Sequence, residues 1–152
     1  MRAANRGVVL PLALLALVTI AALVACAFAS AFVEQRIGRN TLYAVQAAGA
    51  VEAGAAAVVG DWEALGLSLL GPGESTVLPT EGLPGSSAYT PSVHRLNDQL
   101  FLLEVEGIRA DADAGPLARR RLGVVLRGAD SAASGVPVVK PLAQRAWISM
   151  PY

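Results

Sequence analysis

Few residues in this 152-residue chain are of a type that does chemistry, and they are scattered. His94 is the only histidine and Cys26 the only cysteine. A hydrolytic triad needs a histidine beside a nucleophile and an acid, and no nucleophile-elbow pattern occurs. One histidine and one cysteine give no donor set for a zinc site, and a lone cysteine allows no internal disulfide. Asp111 and Asp113 stand two apart in a predicted turn, as in a calcium loop, but the further oxygen ligands are missing. Solvated turn acids are the plainer reading. Arg119-Arg120-Arg121 is the densest basic run, suited to DNA phosphates or to an acidic neighbouring subunit. On a strand, alternate residues face opposite ways, so the three make no flat patch, and cross-strand pairing with Glu104 or Glu106 is expected instead. Twelve basic and twelve acidic residues cancel, leaving no global field to attract nucleic acid. The residues therefore predict no enzyme, no metal, no cofactor and no nucleic-acid partner.

What remains is anchoring and packing. Hydrophobic residues make up 54% of the chain, and the mean hydropathy is +0.50. Most of that excess lies in the first third, so the remainder should be an ordinary water-soluble module. From Val8 to Val33 no residue is charged, and only Thr19, Ser30 and Cys26 carry any polarity. As a helix this stretch spans about 39 Å, more than the roughly 30 Å of a bilayer's hydrocarbon core. Thr19 and Ser30 should return their hydroxyls to helix carbonyls. Arg2 and Arg6 precede the helix without an acid, which holds that end in the cytoplasm and sends the rest across the inner membrane lipid.

The helical pattern continues past the membrane. Val33, Ile37, Tyr43 or Ala44, Ala47, Val51, Ala55 and Val58 recur at three- and four-residue steps, one apolar stripe on an amphipathic helix. Pro11 falls among the first amides, where it forfeits no hydrogen bond. Gly49 and Gly54 should weaken the helix by up to about 1 kcal/mol each. Gly60 is the predicted stop, with Asp61 available to cap a short following helix. Residues 8–59 would then form one helix of about 78 Å.

Beyond it, residues 61–73 predict a short helix or packed loop containing Trp62. Residues 75–92 predict a surface loop with room for one short strand. Strands follow over 89–95, 99–109 and 117–127, joined by turns at Asn97-Asp98 and 110–116. Phe101, Leu103 and Val105 share one face, as do Leu122, Val124 and Leu126. Residues 130–135 predict a further turn, and 136–150 a last edge strand through Trp147 and Ile148. Three or four antiparallel strands bury one face only and need a partner surface. The striped half of the long helix is that partner, and Trp62 and Trp147 are candidate anchors between the two. The expected fold class is α+β, a long N-terminal membrane-spanning helix packed at its outer half against a small antiparallel β-sheet.

As a set, several segments resemble a known family. A short basic leader ending Arg6-Gly7, followed by Val8-Val9-Leu10 and a leucine/alanine run, resembles a type IV prepilin and is similar to the start of PilX-type minor pilins. Glu34-Gln35-Arg36-Ile37-Gly38-Arg39-Asn40 looks like that family's segment at the membrane exit. Val51-Glu52-Ala53-Gly54 looks like its Ala-Glu-Ala-Gly block. The resemblance covers residues 6–60. It implies a leader over 1–7, cleavage between Gly7 and Val8 by a prepilin peptidase, a transmembrane half over 8–33, an amphipathic half over 34–60 and a sheet domain over 61–152. It implies assembly with other pilin or pseudopilin subunits of a type IV pilus or type II secretion pseudopilus, with Leu12, Val33, Ile37, Ala47 and Val51 at helix–helix contacts. Major pilins carry a glutamate at the fifth mature residue, where this chain has Leu12. That departure implies a minor or tip subunit.

A second reading stands beside it. Leu23-Val24-Ala25-Cys26 resembles a bacterial lipobox, which would make Cys26 a lipidated N-terminus. The residues after Cys26 stay apolar, unlike the polar, flexible start of a lipoprotein. A single-pass anchor with an extracytoplasmic binding domain is the remaining alternative.

Overall fold

The computed structural model describes residues 9–111, 113, 115–128, 139–142 and 147–149. It is α+β: one long helix, α1 (Val9–Gly60), packed against a small antiparallel sheet. The chain divides into two units, Met1–Arg39 and Asn40–Tyr152.

In the first unit α1 is unbroken because nothing between Leu12 and Ile37 interrupts it, and Pro11 falls in its first turn. Thr19 Oγ1 donates to the Leu15 carbonyl at 2.8 Å and Ser30 Oγ to the Cys26 carbonyl at 3.0 Å, as expected of hydroxyls with no other partner in an apolar stretch. Every residue from Val9 to Leu42 is exposed.

In the second unit the same helix is half covered. Ala47, Ala50, Val51, Gly54, Ala55 and Val58 are buried, at the three- and four-residue steps of one face. Tyr43 and Ala44 are half-buried at its start, so the covered stripe begins there and leaves out Val33 and Ile37, which are 58% and 60% exposed. α1 ends at Gly60, where the Asp61 amide still donates to the Ala57 carbonyl. Asp61 caps no helix, contrary to expectation. A run of turns separates it from the 3-10 helix Leu67–Leu69, which is preceded by Gly66 in a left-handed conformation and has no side-chain cap.

The sheet holds β1 (Ser75–Val77), β2 (Glu81–Leu83), β3 (Ser87–Arg95), β4 (Leu100–Asp111), β5 (Gly115–Gly128), β6 (Val139–Pro141) and β7 (Trp147–Ser149). Its order is β1-β3-β4-β5-β6, with β2 also on β3 and β7 also on β5, every pair antiparallel. Period-two burial selects the inner face: Tyr89 and Val93 on β3, Phe101, Leu103 and Val105 on β4, Val124 and Leu126 on β5. Asn97 turns the β3–β4 hairpin by accepting the Gln99 and Leu100 amides on its Oδ1, both at 2.9 Å. The β4–β5 connection is tighter than predicted, with pairing reaching Asp111 and Gly115 after a register shift at Arg109/Ala110.

Among the described residues, seven strands stand where three or four were expected. The segment read as a loop contains β1, β2 and the start of β3. Three-residue strands punctuated by Pro79 and Pro84 are too short to show alternation. The predicted last edge strand is β7, and β6 adds a second short one. The turn expected over 130–135 and the Trp147 side chain lie outside the described residues.

Candidate functional site

Two surfaces of this chain organise its possible roles: the uncovered apolar helix and the joint that fixes the sheet to the helix. The uncovered part is long and apolar enough to cross a membrane. Leu12, Val33 and Ile37, expected at helix–helix contacts, are all exposed on it, at 66%, 58% and 60%. Ala47 and Val51, expected at the same contacts, are not available to a second helix. They are 0% and 2% exposed, sealed under the chain's own sheet. That expectation is corrected: from residue 47 the stripe serves folding. Cys26 is exposed on the helix, with helical backbone before and after it. The predicted cleavage residues Gly7 and Val8 lie outside the described residues.

The joint depends on two glycines. A Cβ on Gly107, in the middle of β4, would lie 2.6 Å from Val51 Cγ2 and 3.0 Å from the Val51 amide, and closer still to the Ala47 carbonyl oxygen. A Cβ on Gly54, on the facing helix, would lie 2.5 Å from Tyr89 Cδ2 and 2.7 Å from its Cγ. Strand backbone therefore meets helix backbone at Gly107, and helix backbone meets an aromatic ring at Gly54. Gly54 is thus a packing requirement, whereas Gly49 has open space around it. Gly107 had not been singled out. A glycine interrupting a strong strand pattern marks close backbone approach, and that was the available signal.

Polar side chains pin the joint at its rim. Arg109 donates from Nε to Gln46 Oε1 on α1 at 2.9 Å and from Nη1 to the Ser86 and Ala110 carbonyls, with its guanidinium 5.7 Å from the Tyr43 ring centroid. Tyr89 donates to Glu81 Oε2 at 2.5 Å, tying β2 to the core. Hydrogen bonding to Glu81, then burial, then the charges of Glu81 and Asp61 push its phenol up to about 12. At the other end Arg95 donates to the Leu70, Asn97 and Asp98 carbonyls and lies over Phe101, whose ring meets Trp62 edge-on at 5.1 Å. Trp62 is buried in the core, as an anchor should be, with its Nε1 unpaired.

The candidate chemical residues fall apart from one another. His94 is half-buried on the outer face of the sheet, and its register row reads Ser75, His94, Leu102, Val125, without an acid. Asp111 accepts the Asp113 amide on Oδ1 at 3.3 Å, an exposed turn. Among the described residues no three of His, Cys, Asp and Glu come together. Arg119 and Arg121 reach Glu106 at 3.0 Å and 3.3 Å, the cross-strand pairing expected, with Glu106 rather than Glu104 as the acid. Arg120 faces the opposite side, in register with Gly107.

No family model, curated protein or solved structure matches this chain.

Proposed function

We propose that this protein is a membrane-anchored assembly subunit of pilin-like type, a minor pilin or pseudopilin that joins or primes a type IV pilus or type II secretion pseudopilus. The observation that carries the proposal is one helix with two environments: apolar and uncovered through residue 33, then striped and docked under a sheet from Tyr43 to Val58. An anchor whose only task was attachment needs no continuation into the folded domain. A subunit that moves from lipid into a filament needs its exposed apolar helix continuous in sequence with its outer domain, and α1 runs from one into the other. In this reading Leu12, Val33 and Ile37 first face lipid and then other subunits, and small residues along the helix let neighbours approach closely. The N-terminus stays cytoplasmic, held by Arg2 and Arg6, and the sheet domain is periplasmic or extracellular.

The test is the mass of the mature N-terminus after expression in a bacterium with a prepilin peptidase. A chain beginning at Val8, with or without a methyl group, is expected. A diacylglyceryl-modified Cys26 overturns the proposal in favour of a lipoprotein, and an intact Met1 in favour of a simple anchor.

A further inference from the structure

The apolar span of α1 ends in a gradient of side chains on one face. Phe28, Phe32, Arg36 and Arg39 follow one another at steps of four, four and three residues, which aligns them along the helix surface. Phe28 and Phe32 are 63% and 69% exposed, and both arginines are exposed. Glu34 is the acid nearest to them in sequence, two residues before Arg36 and five before Arg39. At about 100° per residue it lies roughly 140–160° round the helix from either, so it pairs with neither. Among the described residues the two arginines have no ion-pair partner, whereas Arg119 and Arg121 share Glu106. The face thus passes from exposed aromatic rings to two uncompensated guanidinium groups within 12 residues.

We propose that this face holds one anionic phospholipid, with the arginines on its headgroup phosphate and the phenylalanines along its acyl chains. Depth selects a lipid over a soluble anion. Val33 ends the charge-free stretch, and Arg36 and Arg39 lie about 4.5 and 9 Å beyond it along the helix axis. The headgroup layer is about 5–7 Å deep on each side of the hydrocarbon core. Arg36 therefore stands within it, and Arg39 reaches it by laying its stem back toward the membrane. Guanidinium suits the phosphate because its fork donates two parallel hydrogen bonds. Phe32 lies about 6 Å nearer the membrane centre than Arg36, at the level of acyl chain rather than headgroup. A zwitterionic headgroup carries the same phosphate beside a cation that repels the arginines, so a net-negative lipid is favoured. The proposal rests on α1 crossing a membrane and adds the class of lipid that meets its outer end. It needs neither leader cleavage nor filament assembly.

The test is native mass spectrometry of the full chain in a neutral detergent, titrated with phosphatidylglycerol or with phosphatidylcholine. Wild type is expected to bind phosphatidylglycerol more tightly. Arg36→Gln with Arg39→Gln should weaken that binding by about fivefold for each arginine removed and leave phosphatidylcholine binding unchanged. Arg119→Gln with Arg120→Gln makes the same change of charge on β5 and should bind as wild type does. Equal affinity of wild type for the two lipids, or equal weakening by the two pairs of substitutions, overturns the proposal. Inorganic phosphate bound as tightly as phosphatidylglycerol overturns it in favour of a soluble anion. Flotation with vesicles of pure phosphatidylcholine separates this proposal from the anchor on which it rests. Wild type that fails to float refutes both, whereas wild type that floats without preferring either lipid refutes this proposal alone.

Discussion

Replacing Gly107 by alanine adds one methyl group where β4 crosses α1, and the structure sets what that methyl must displace. Its carbon would lie 2.6 Å from Val51 Cγ2, whereas ordinary contact begins at 3.4 Å, so the neighbours must retreat by about 0.8 Å. Val51 cannot simply rotate away, because its own amide is 3.0 Å from the same point and the Ala47 carbonyl is nearer still. Helix backbone must therefore move off the strand, loosening the contacts around Ala47, Val51 and Val105. Overpacking costs about 1–3 kcal/mol, and a clash with helix backbone falls at about 2–3 kcal/mol of that range. Alanine recovers up to about 1 kcal/mol through the smaller entropy of its unfolded chain. A net loss of about 1–2 kcal/mol lowers the midpoint of a domain this size by about 5–10 °C. Gly49→Ala is the matched control. It adds the same methyl on α1 into open space and removes a helix-weakening residue, so it should leave Tm unchanged or raise it. Thermal unfolding in detergent, followed by the fluorescence of buried Trp62, measures both. Equal midpoints for Gly107→Ala and wild type, or equal losses for the two variants, would refute the account of the joint.

Two further perturbations test its rim. The Tyr89 phenol is pushed up to about 12 from an unfolded value near 10, so its contribution is complete below pH 10 and lost as pH rises through 12. That contribution is on the order of 2–3 kcal/mol. Between pH 9 and 12 wild type should lose more stability than Tyr89→Phe, and the difference in absorbance between the two should titrate near 12 rather than 10. Arg109→Ala removes the bond to Gln46, two carbonyl partners and the ring contact with Tyr43, a loss of about 1–3 kcal/mol. Hydrogen exchange should accelerate over residues 43–47 more than over 54–58, and uniform acceleration would contradict a local pin.

The long helix, its stop at Gly60, an apolar stripe running on to Val58 and the inner faces of β4 and β5 were legible in the chain. Each is a local periodicity that burial then selects. The short strands were not, because three residues between prolines carry no period. The stripe's limits were not legible either. Val33 and Val51 read alike in a pattern of apolar steps, yet one is exposed and the other sealed. Only the sheet, whose pairing joins residues far apart in the chain, decides which part of a helix is covered.

The same division holds for the possible sites. Composition alone made His94 and Cys26 the single residues of their types, which leaves neither a partner of its own kind. Strand order required the fold: only antiparallel pairing through β3 and β4 puts β1 and β2 on the opposite side of the sheet from β6. Gly54 and Gly107 complete the contrast. By itself the sequence counts Gly54 only as a weak point in its helix and gives Gly107 no role, and tertiary packing requires both, because a side chain at Gly107 would strike helix backbone and one at Gly54 the Tyr89 ring.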